Sequence, residues 1–391
     1  MKTKLLIEQH FHGAFGIDFN TASVEDILFL SKEILKYGIG GIFPTIVTDS
    51  VENTKRAISV IKEASQKQTS DMARILGIHL EGIFLNPEKK GIHNPKYFLQ
   101  PTVENFQLLE DDFIKIVTLA PELIPLIRPS DTFSHAGAKA KNLIDYLNQK
   151  GIKVQAGHCV GGNLTGCTGV THLFNAMTGI THRGSSTALS ALINDDIYTE
   201  IIADGVHVSD NALKLVFKTK PADKIILISD CLPCTALSPL PLGGEFADGR
   251  SKASPDSEQI EHTVAKATFA KLCERGANSR QGACKAGEGL YEFIFADEKV
   301  YYDGTKATSK DGTLAGSTAL LPDIIRRLAN NPSPELLISQ SSLSNSSLSR
   351  KGRGEIISQL ILNPYIYHNI DLDGYIEWDD EWNILEVNYE K

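Results

Sequence analysis

Two patterns of apolar and polar positions alternate along residues 5–230. Short, nearly continuous apolar runs recur, and amphipathic stretches such as 24–38 and 140–151 lie between most of them. Apolar runs of this kind are typical of parallel strands buried on both faces, and the amphipathic stretches have the period of helices that cover a sheet. The strand-like runs are 5–10, 40–47, 74–82, 114–121, 152–158, 169–176, 200–207 and 224–230.

This alternation predicts an α/β fold of the (β/α)8 TIM-barrel type. A doubly wound open sheet is the alternative, but no glycine-rich phosphate-binding fingerprint follows the first run. Residues 235–290 are rich in Gly, Pro, Ser and charge, which predicts a long loop or an insertion at about 240–292. A helix is predicted to follow at 317–330. Strand character near the end predicts C-terminal strands. The predicted division is therefore a barrel over 1–362 and a C-terminal β segment over 363–391.

Titratable residues cluster at the C-terminal ends of the predicted strands, where barrels of this type build their active sites. Taken alone, each histidine is more simply explained as a hydrogen-bonded core residue. The recurrence at six strand ends instead indicates a functional site. The residues are His10, His12, Glu81, His158, His172, His207 and Asp230.

The first strand ends in His10-Phe11-His12, and residues two apart on a strand face the same side. Together with Glu81, His158 and His172 these histidines form a donor set suited to a divalent ion, for which zinc is the first expectation and iron or a second ion are alternatives. Such an ion lowers the pKa of a coordinated water to about 7. Asp230 follows an apolar run and suits a general base beside that water, although a helix N-cap would also explain it.

Composition narrows the functional classes. The 391-residue chain carries a formal net charge of -9, which argues against a general nucleic-acid binder. No apolar run is long enough to span a membrane, and the short start before Glu8 is too brief for a signal peptide. Six cysteines in so long a chain do not indicate a disulfide scaffold, so a cytoplasmic location is expected.

Several longer motifs resemble one known family. "GIHLEGIFLNPEKKGIHNP" (77–95), "GHC" (157–159), "THLFNAM" (171–177), "IIADGVHV" (201–208), "ISD" (228–230) and "GTLAGST" (312–318) are similar to N-acetylglucosamine-6-phosphate deacetylases of the amidohydrolase superfamily. The resemblance implies hydrolysis of N-acetylglucosamine 6-phosphate to glucosamine 6-phosphate and acetate, in a homodimer.

The resemblance also assigns roles. It implies that Glu81, His158 and His172 hold the catalytic ion, and that His10 and His12 correspond to a pair that binds a second ion in some members. Asp230 corresponds to the catalytic acid and base, and His93 to a histidine beside the substrate amide. The remaining implied substrate contacts are Asn175, Ala176, Arg183 (which the family supplies from a partner subunit), His207, Leu314, Ala315 and Gly316.

Four departures from the family pattern leave alternatives open. The chain starts at the first barrel strand, where the family has a preceding β-domain, so the resemblance implies that this small β-domain is missing or reduced to the C-terminal strands of 363–391. Ile83 stands where the family usually has proline, the stretch 159–171 is short, and 240–292 is extra. A sugar-phosphate-binding protein without turnover is therefore a second hypothesis. A third is another amidohydrolase acting on a cyclic amide, which the absence of a lysine after the fourth strand disfavours.

Overall fold

The computed structural model describes residues 1–124, 142–236, 285–287, 290–331 and 350–389. The predicted insertion therefore lies largely outside the described residues. The strands, in chain order, are β1 (Lys2–Lys4), β2 (Leu6–Phe11), β3 (Gly13–Ala14), β4 (Ile17–Asp18), β5 (Ile39–Val47), β6 (Arg74–Ile75), β7 (Ile78–Glu81), β8 (Ile114–Leu119), β9 (Lys153–Ala156), β10 (Gly169–Val170), β11 (Tyr198–Ile201), β12 (Ile225–Leu227), β13 (Lys285–Gly287), β14 (Leu290–Phe295), β15 (Glu298–Tyr302), β16 (Ala307–Ser309), β17 (Leu314–Gly316), β18 (Tyr375–Trp378) and β19 (Ile384–Asn388).

The α-helices of the described ranges pack outside the strands or connect them. They are α1 (Val24–Leu35), α2 (Val51–Gln66), α3 (Val103–Gln107), α4 (Leu143–Gln149), α5 (Thr187–Ile193), α6 (Asp210–Thr219), α7 (Leu321–Asn330) and α8 (Arg350–His368). Among these helices, none is long and apolar enough to cross a membrane.

A parallel sheet with the order β2-β5-β7-β8-β9-β10-β11-β12 forms the centre of the fold, with β6 paired beside β5. Backbone bonds join its two ends, because the Asp230 N–H donates to the His10 carbonyl (2.8 Å) and the His12 N–H donates to the Cys231 carbonyl (2.9 Å). The sheet is thus closed into a barrel, and the predicted fold class is confirmed.

The apolar runs form these strands because their side chains are buried on both faces. All nine residues of β5 are buried. Helix α1 covers the sheet with an apolar face that includes Ile27 and Ile34, and Ser23 and Asp26 cap its first turn reciprocally. Gly38, with φ of 78°, lies in the turn that returns the chain to β5.

One connection in the barrel lacks a helix. The segment 157–168, every residue of which is described, joins β9 to β10 through turns and irregular backbone. Strand β10 has two residues, so the predicted strand 169–176 is much shorter than expected. The shortness of 159–171 in the sequence predicted this missing helix.

In the described parts of the chain, two antiparallel sheets of three or more strands lie outside the barrel, besides the short antiparallel pair β3-β4. Strands β1, β18 and β19 form one, so the predicted C-terminal β element is present and also takes in the N-terminal strand. Strands β13 to β17 form the other, and they include the end of the region predicted as an insertion. The predicted domain boundary at 362/363 falls within α8 and stays a prediction.

Candidate active site

The polar strand ends meet at one mouth of the barrel. His10 lies in β2, Glu81 ends β7, and Asp230 follows β12. His158 and His172 follow β9 and β10. Each of these side chains is buried, with His10 fully enclosed and Asp230 the most exposed at 8%.

The Glu81 carboxylate lies at the centre of the cluster. Its Oε1 atom is 3.2 Å from His158 Nε2 and 3.0 Å from His172 Nε2. Its Oε2 atom is 3.1 Å from His12 Nε2 and 3.3 Å from His10 Nε2. Glu81 therefore belongs to two groups of donors, one on each carboxylate oxygen.

Asp230 completes the second group. Its Oδ1 atom is 3.2 Å from His12 Nε2 and 3.4 Å from His10 Nε2. We call Glu81, His158 and His172 the inner triad, and His10, His12, Glu81 and Asp230 the outer tetrad. In both groups the donor atoms lie within 4.8 Å of one another.

Both groups fit a divalent cation. The Nε2 atoms of His158 and His172 are 3.1 Å apart and face the same carboxylate oxygen. His158 Nδ1 lies 2.8 Å from the Lys89 carbonyl, which can only accept, so the lone pair of this imidazole is on Nε2. Within the described residues, the buried His10 Nε2 atom has no hydrogen-bond partner. Imidazole and carboxylate donors in these numbers are typical of zinc and related ions.

The backbone is strained at three of these residues. His158, His172 and Asp230 have positive φ values of 48°, 31° and 54°. Left-handed backbone is uncommon for residues other than glycine and is concentrated at functional sites. The strain thus coincides with three members of the candidate site.

Close packing of charge shifts the pKa values in the cluster. Burial lowers the pKa of His12, but hydrogen bonds to Asp230 and Glu81 outweigh burial and raise it to about 9. Burial raises the pKa of Glu81, but His10 and the other histidines hold it well below its usual range. Protons on the histidines thus balance the negative charge of the carboxylates, and a bound cation could take over that role.

His93 is held as a neutral imidazole facing the cluster. Burial and the neighbouring His158 keep the pKa of His93 well below its usual value. Its Nδ1 atom lies 2.8 Å from Thr48 Oγ1 and accepts from the Thr48 backbone N–H at 3.4 Å. Because Nδ1 accepts, Nε2 carries the proton, and it points toward Glu81 Oε2 at 3.7 Å.

A cavity of about 570 Å³ opens above the cluster. Asp230, His93 and the Asn175–Ala176 turn line it, as does His207, whose Nδ1 atom is 2.8 Å from Asp204 Oδ2. The cavity therefore joins the cation-binding cluster to a group of polar donors. The other predicted residues that line it are His12, Glu81, His158, His172, Leu314, Ala315 and Gly316.

Two predicted site residues do not line this cavity. His10 lies beneath its floor, and Arg183 is exposed on the loop before α5. Sequence reasoning missed Lys89 and Lys90, which do line the cavity and stand directly before the quoted Gly91-Ile92-His93. It also missed Glu200, a charged residue within a buried barrel strand, directly before the apolar Ile201-Ile202-Ala203 run, which was a signal that could have been used.

Comparisons with curated proteins support the resemblance predicted from the motifs. The chain is 32% identical over 245 residues to N-acetylglucosamine-6-phosphate deacetylase of Bacillus subtilis, covering 59% of this chain and 58% of that protein. It is 31% identical over 246 residues to the enzyme of the same name from Haemophilus influenzae, covering 60% and 59%. The chain thus spans less than three fifths of the length of these relatives. No family model matches it.

Solved structures confirm the fold. N-acetylglucosamine-6-phosphate deacetylase from Pasteurella multocida superimposes with a TM-score of 0.68 at 21% identity, covering 99% of this chain and 85% of that one. A variant of the Mycobacterium smegmatis enzyme in complex with N-acetyl-D-glucosamine-6-phosphate gives a TM-score of 0.68 at 18% identity, with coverage of 99% and 85%.

Proposed function

We propose that this protein is a metal-dependent amidohydrolase that converts N-acetylglucosamine 6-phosphate to glucosamine 6-phosphate and acetate. The observation that carries the proposal is the Glu81-centred cluster, which faces the same cavity as the Asn175–Ala176 turn and His207. The curated relatives with this activity, and a structural neighbour in complex with this sugar phosphate, support the choice of substrate.

The inner triad would hold the catalytic ion, for which we propose zinc, and the outer tetrad has the donors for a second ion. A bound divalent ion polarises a carbonyl oxygen and lowers the pKa of a water molecule from about 15.7 to about 7. The triad is buried beneath the cavity, so a substrate amide at the cavity floor would lie against it.

Asp230 moves the proton. It lines the cavity, and its carboxylate takes a proton from the attacking water as the oxygen bonds to the acetamide carbon. It then delivers that proton to the amine nitrogen as the C–N bond breaks. Acetate and the free amino sugar leave, and Asp230 returns to its ionised form.

His93 stabilises the developing negative charge. Its Nε2–H is the donor that faces the cluster, because Thr48 occupies Nδ1. A neutral imidazole can donate this hydrogen bond without itself losing a proton. Donors fixed in advance on such an oxygen usually provide a large share of the rate enhancement.

The phosphate would bind at the far side of the cavity. Ala176 has φ of 46°, which turns the backbone at the end of the Asn175–Ala176 pair. His207 and the two lysines before Gly91 bring positive charge or N–H donors to the same space. Leu314, Ala315 and Gly316 would form the apolar wall against the sugar.

We also propose a cytoplasmic homodimer in which Arg183 contacts the phosphate in the partner's cavity. Arg183 is exposed and does not reach the cavity of its own chain. Ile180 and Ile193, on either side of Arg183 in the sequence, are 49% and 72% exposed, and apolar side chains of this kind suit the centre of an interface. The described cysteines are free and buried, consistent with a reducing compartment.

Acetate release from N-acetylglucosamine 6-phosphate tests the activity directly. Metal-loaded protein should release acetate, chelation should abolish release, and unphosphorylated N-acetylglucosamine should be a much poorer substrate. Asp230→Asn, with the same shape, should lower kcat by roughly 10²–10⁴-fold. Folded, metal-loaded protein that releases no acetate would refute the proposal. A substrate-induced rise in Tm in that case would indicate a sugar-phosphate-binding protein.

A further inference from the structure

Glu200 is a buried carboxylate beneath the active site that the proposed reaction does not use. It lies in β11, is 1% exposed, and faces the barrel interior. Its Oε2 atom is 3.0 Å from Nδ1 of His10. The same oxygen lies 3.4 Å from the backbone N–H of His172. One carboxylate thus contacts a member of the outer tetrad and a member of the inner triad.

The contact with His10 fixes which nitrogen of that imidazole carries a proton. An ionised carboxylate only accepts hydrogen bonds, so Nδ1 of His10 must be the N–H donor. Its Nε2 atom then offers the lone pair to the centre, 3.3 Å from Glu81 and 3.4 Å from Asp230. Carboxylates that bind the second nitrogen of a metal-ligating histidine orient the ring and increase its basicity.

Glu200 is itself held from the opposite side. Its Oε1 atom accepts a hydrogen bond from Nε2 of Gln9, whose Oε1 accepts from His368 Nε2 at 3.0 Å. His368 ends helix α8. A row of hydrogen bonds therefore runs from the C-terminal helix through Gln9 and Glu200 to His10.

His79 lies on the other side of His10, with a ring-centroid distance of 4.6 Å. His10, His79 and Glu200 are close enough to raise the alternative that they bind an ion themselves. However, His79 Nδ1 is 3.1 Å from the Gln9 carbonyl, and its Nε2 is 2.8 Å from Thr118 Oγ1. Both nitrogens of His79 are thus engaged, which favours a positioning role for Glu200.

We propose that Glu200 is a positioning residue that makes the outer tetrad able to hold an ion. This inference rests on the proposed function, because it takes the cluster to be a metal centre. The metal-loaded protein should then hold two ions, and the affinity of the outer tetrad for the second ion should depend on Glu200. Loss of a residue that hydrogen-bonds to a metal ligand typically lowers metal affinity about 10–100-fold.

The test measures zinc binding to the metal-free protein by competition with a chelator. Wild type should bind two equivalents. Glu200→Gln keeps the shape but removes the charge, and should lose about 10–100-fold in affinity for one equivalent while the other is retained. Thr199→Val is the matched control on the same strand. The Thr199 hydroxyl is buried and, among the described residues, has no hydrogen-bond partner, so this variant should bind both equivalents normally.

A second measurement does not depend on any variant folding. Nitrogen-15 spectra of histidine-labelled, zinc-loaded wild type should show His10 protonated at Nδ1 and metal-bound at Nε2. A wild type that binds one equivalent, an unchanged Glu200→Gln titration, or a His10 protonated at Nε2 would each overturn the inference. Acetate release by wild type is scored separately, so failure of the deacetylase proposal is distinguishable from failure of this one.

Discussion

Replacing Thr48 by valine should remove the side-chain hydrogen bond that fixes the orientation of His93. Thr48 is 3% exposed, and its hydroxyl oxygen lies 2.8 Å from His93 Nδ1 while accepting from the Ile83 N–H at 3.0 Å. Valine has nearly the same shape, so no cavity forms. The variant leaves a buried N–H and a buried imidazole nitrogen without this partner, and each loss destabilises by about 1–3 kcal/mol. Because the Thr48 backbone N–H still donates to His93 Nδ1, the loss at the imidazole is partial, and we expect the free energy of unfolding to fall by about 2–4 kcal/mol.

The catalytic effect should be smaller than loss of His93 itself. Thr48 only fixes the orientation and tautomer of the ring, so the change should equal about one hydrogen bond, or about 1.4 kcal/mol, a tenfold fall in kcat/KM. Thr48→Ser retains the hydroxyl and is the matched control. Thr48→Ser should retain most of the wild-type free energy of unfolding and most of the wild-type kcat/KM.

The assay is acetate release combined with denaturant unfolding for wild type, Thr48→Val, His93→Asn and the double variant. Because Thr48 is argued to act through His93, the double variant should be no slower than His93→Asn alone. Additive losses, differing from the sum of the single changes by less than about 0.5 kcal/mol, would refute the reasoning. So would a Thr48→Ser variant as slow as Thr48→Val.

Three further predictions concern protons and packing. Zinc loading near pH 7 should release protons, because hydrogen bonds to Asp230 and Glu81 outweigh burial and raise the pKa of His12 to about 9; calorimetric heats that do not change with the ionisation enthalpy of the buffer would contradict this. Burial lowers the pKa of Lys220, whose ammonium donates to two backbone carbonyls, from 10.5 to about 8. Below about pH 8 Lys220 is charged in both the folded and the unfolded state, whereas between about pH 8 and 10.5 only the unfolded state keeps the proton. The free energy of unfolding should therefore rise with pH in that window. Lys220→Met should remove this rise, as measured by urea unfolding at several pH values. Trp378→Ala should destabilise by about 3–5 kcal/mol, because Trp378 is 1% exposed; a loss below about 1 kcal/mol would show that the outer three-stranded sheet does not contribute to the cooperative core.

The barrel could be predicted because each of its strands corresponds to an apolar run in the sequence. A strand buried on both faces must be apolar along its length, and the nine buried residues of β5 show this. The polar residues that interrupt such runs at their ends are costly unless paired or functional. For this reason Glu81, His158 and Asp230 could be selected before their distances were known.

Other features depend on contacts that sequence spacing does not encode. Thr48 and His93 meet across 45 positions, and Gln9 and Glu200 across 191. The five-stranded outer sheet was missed because its strands are short and only partly apolar, so tertiary pairing outweighs local preference. Arg183 shows a different limit, since a residue proposed to act in a second copy would leave no trace in its own chain's geometry.

The closing of the barrel brings together residues of the candidate metal site that are far apart in the chain. The backbone bonds that join the first and last strands are made by His10, His12, Asp230 and Cys231, so the seam of the barrel runs through the outer tetrad. Beside it, the Ser229 N–H donates to Glu8 across 221 positions. Contacts of such long range carry a large entropy cost of loop closure. The proposed second ion would therefore have its full set of donors only when β2 and β12 are joined, and its binding should report closure of the barrel.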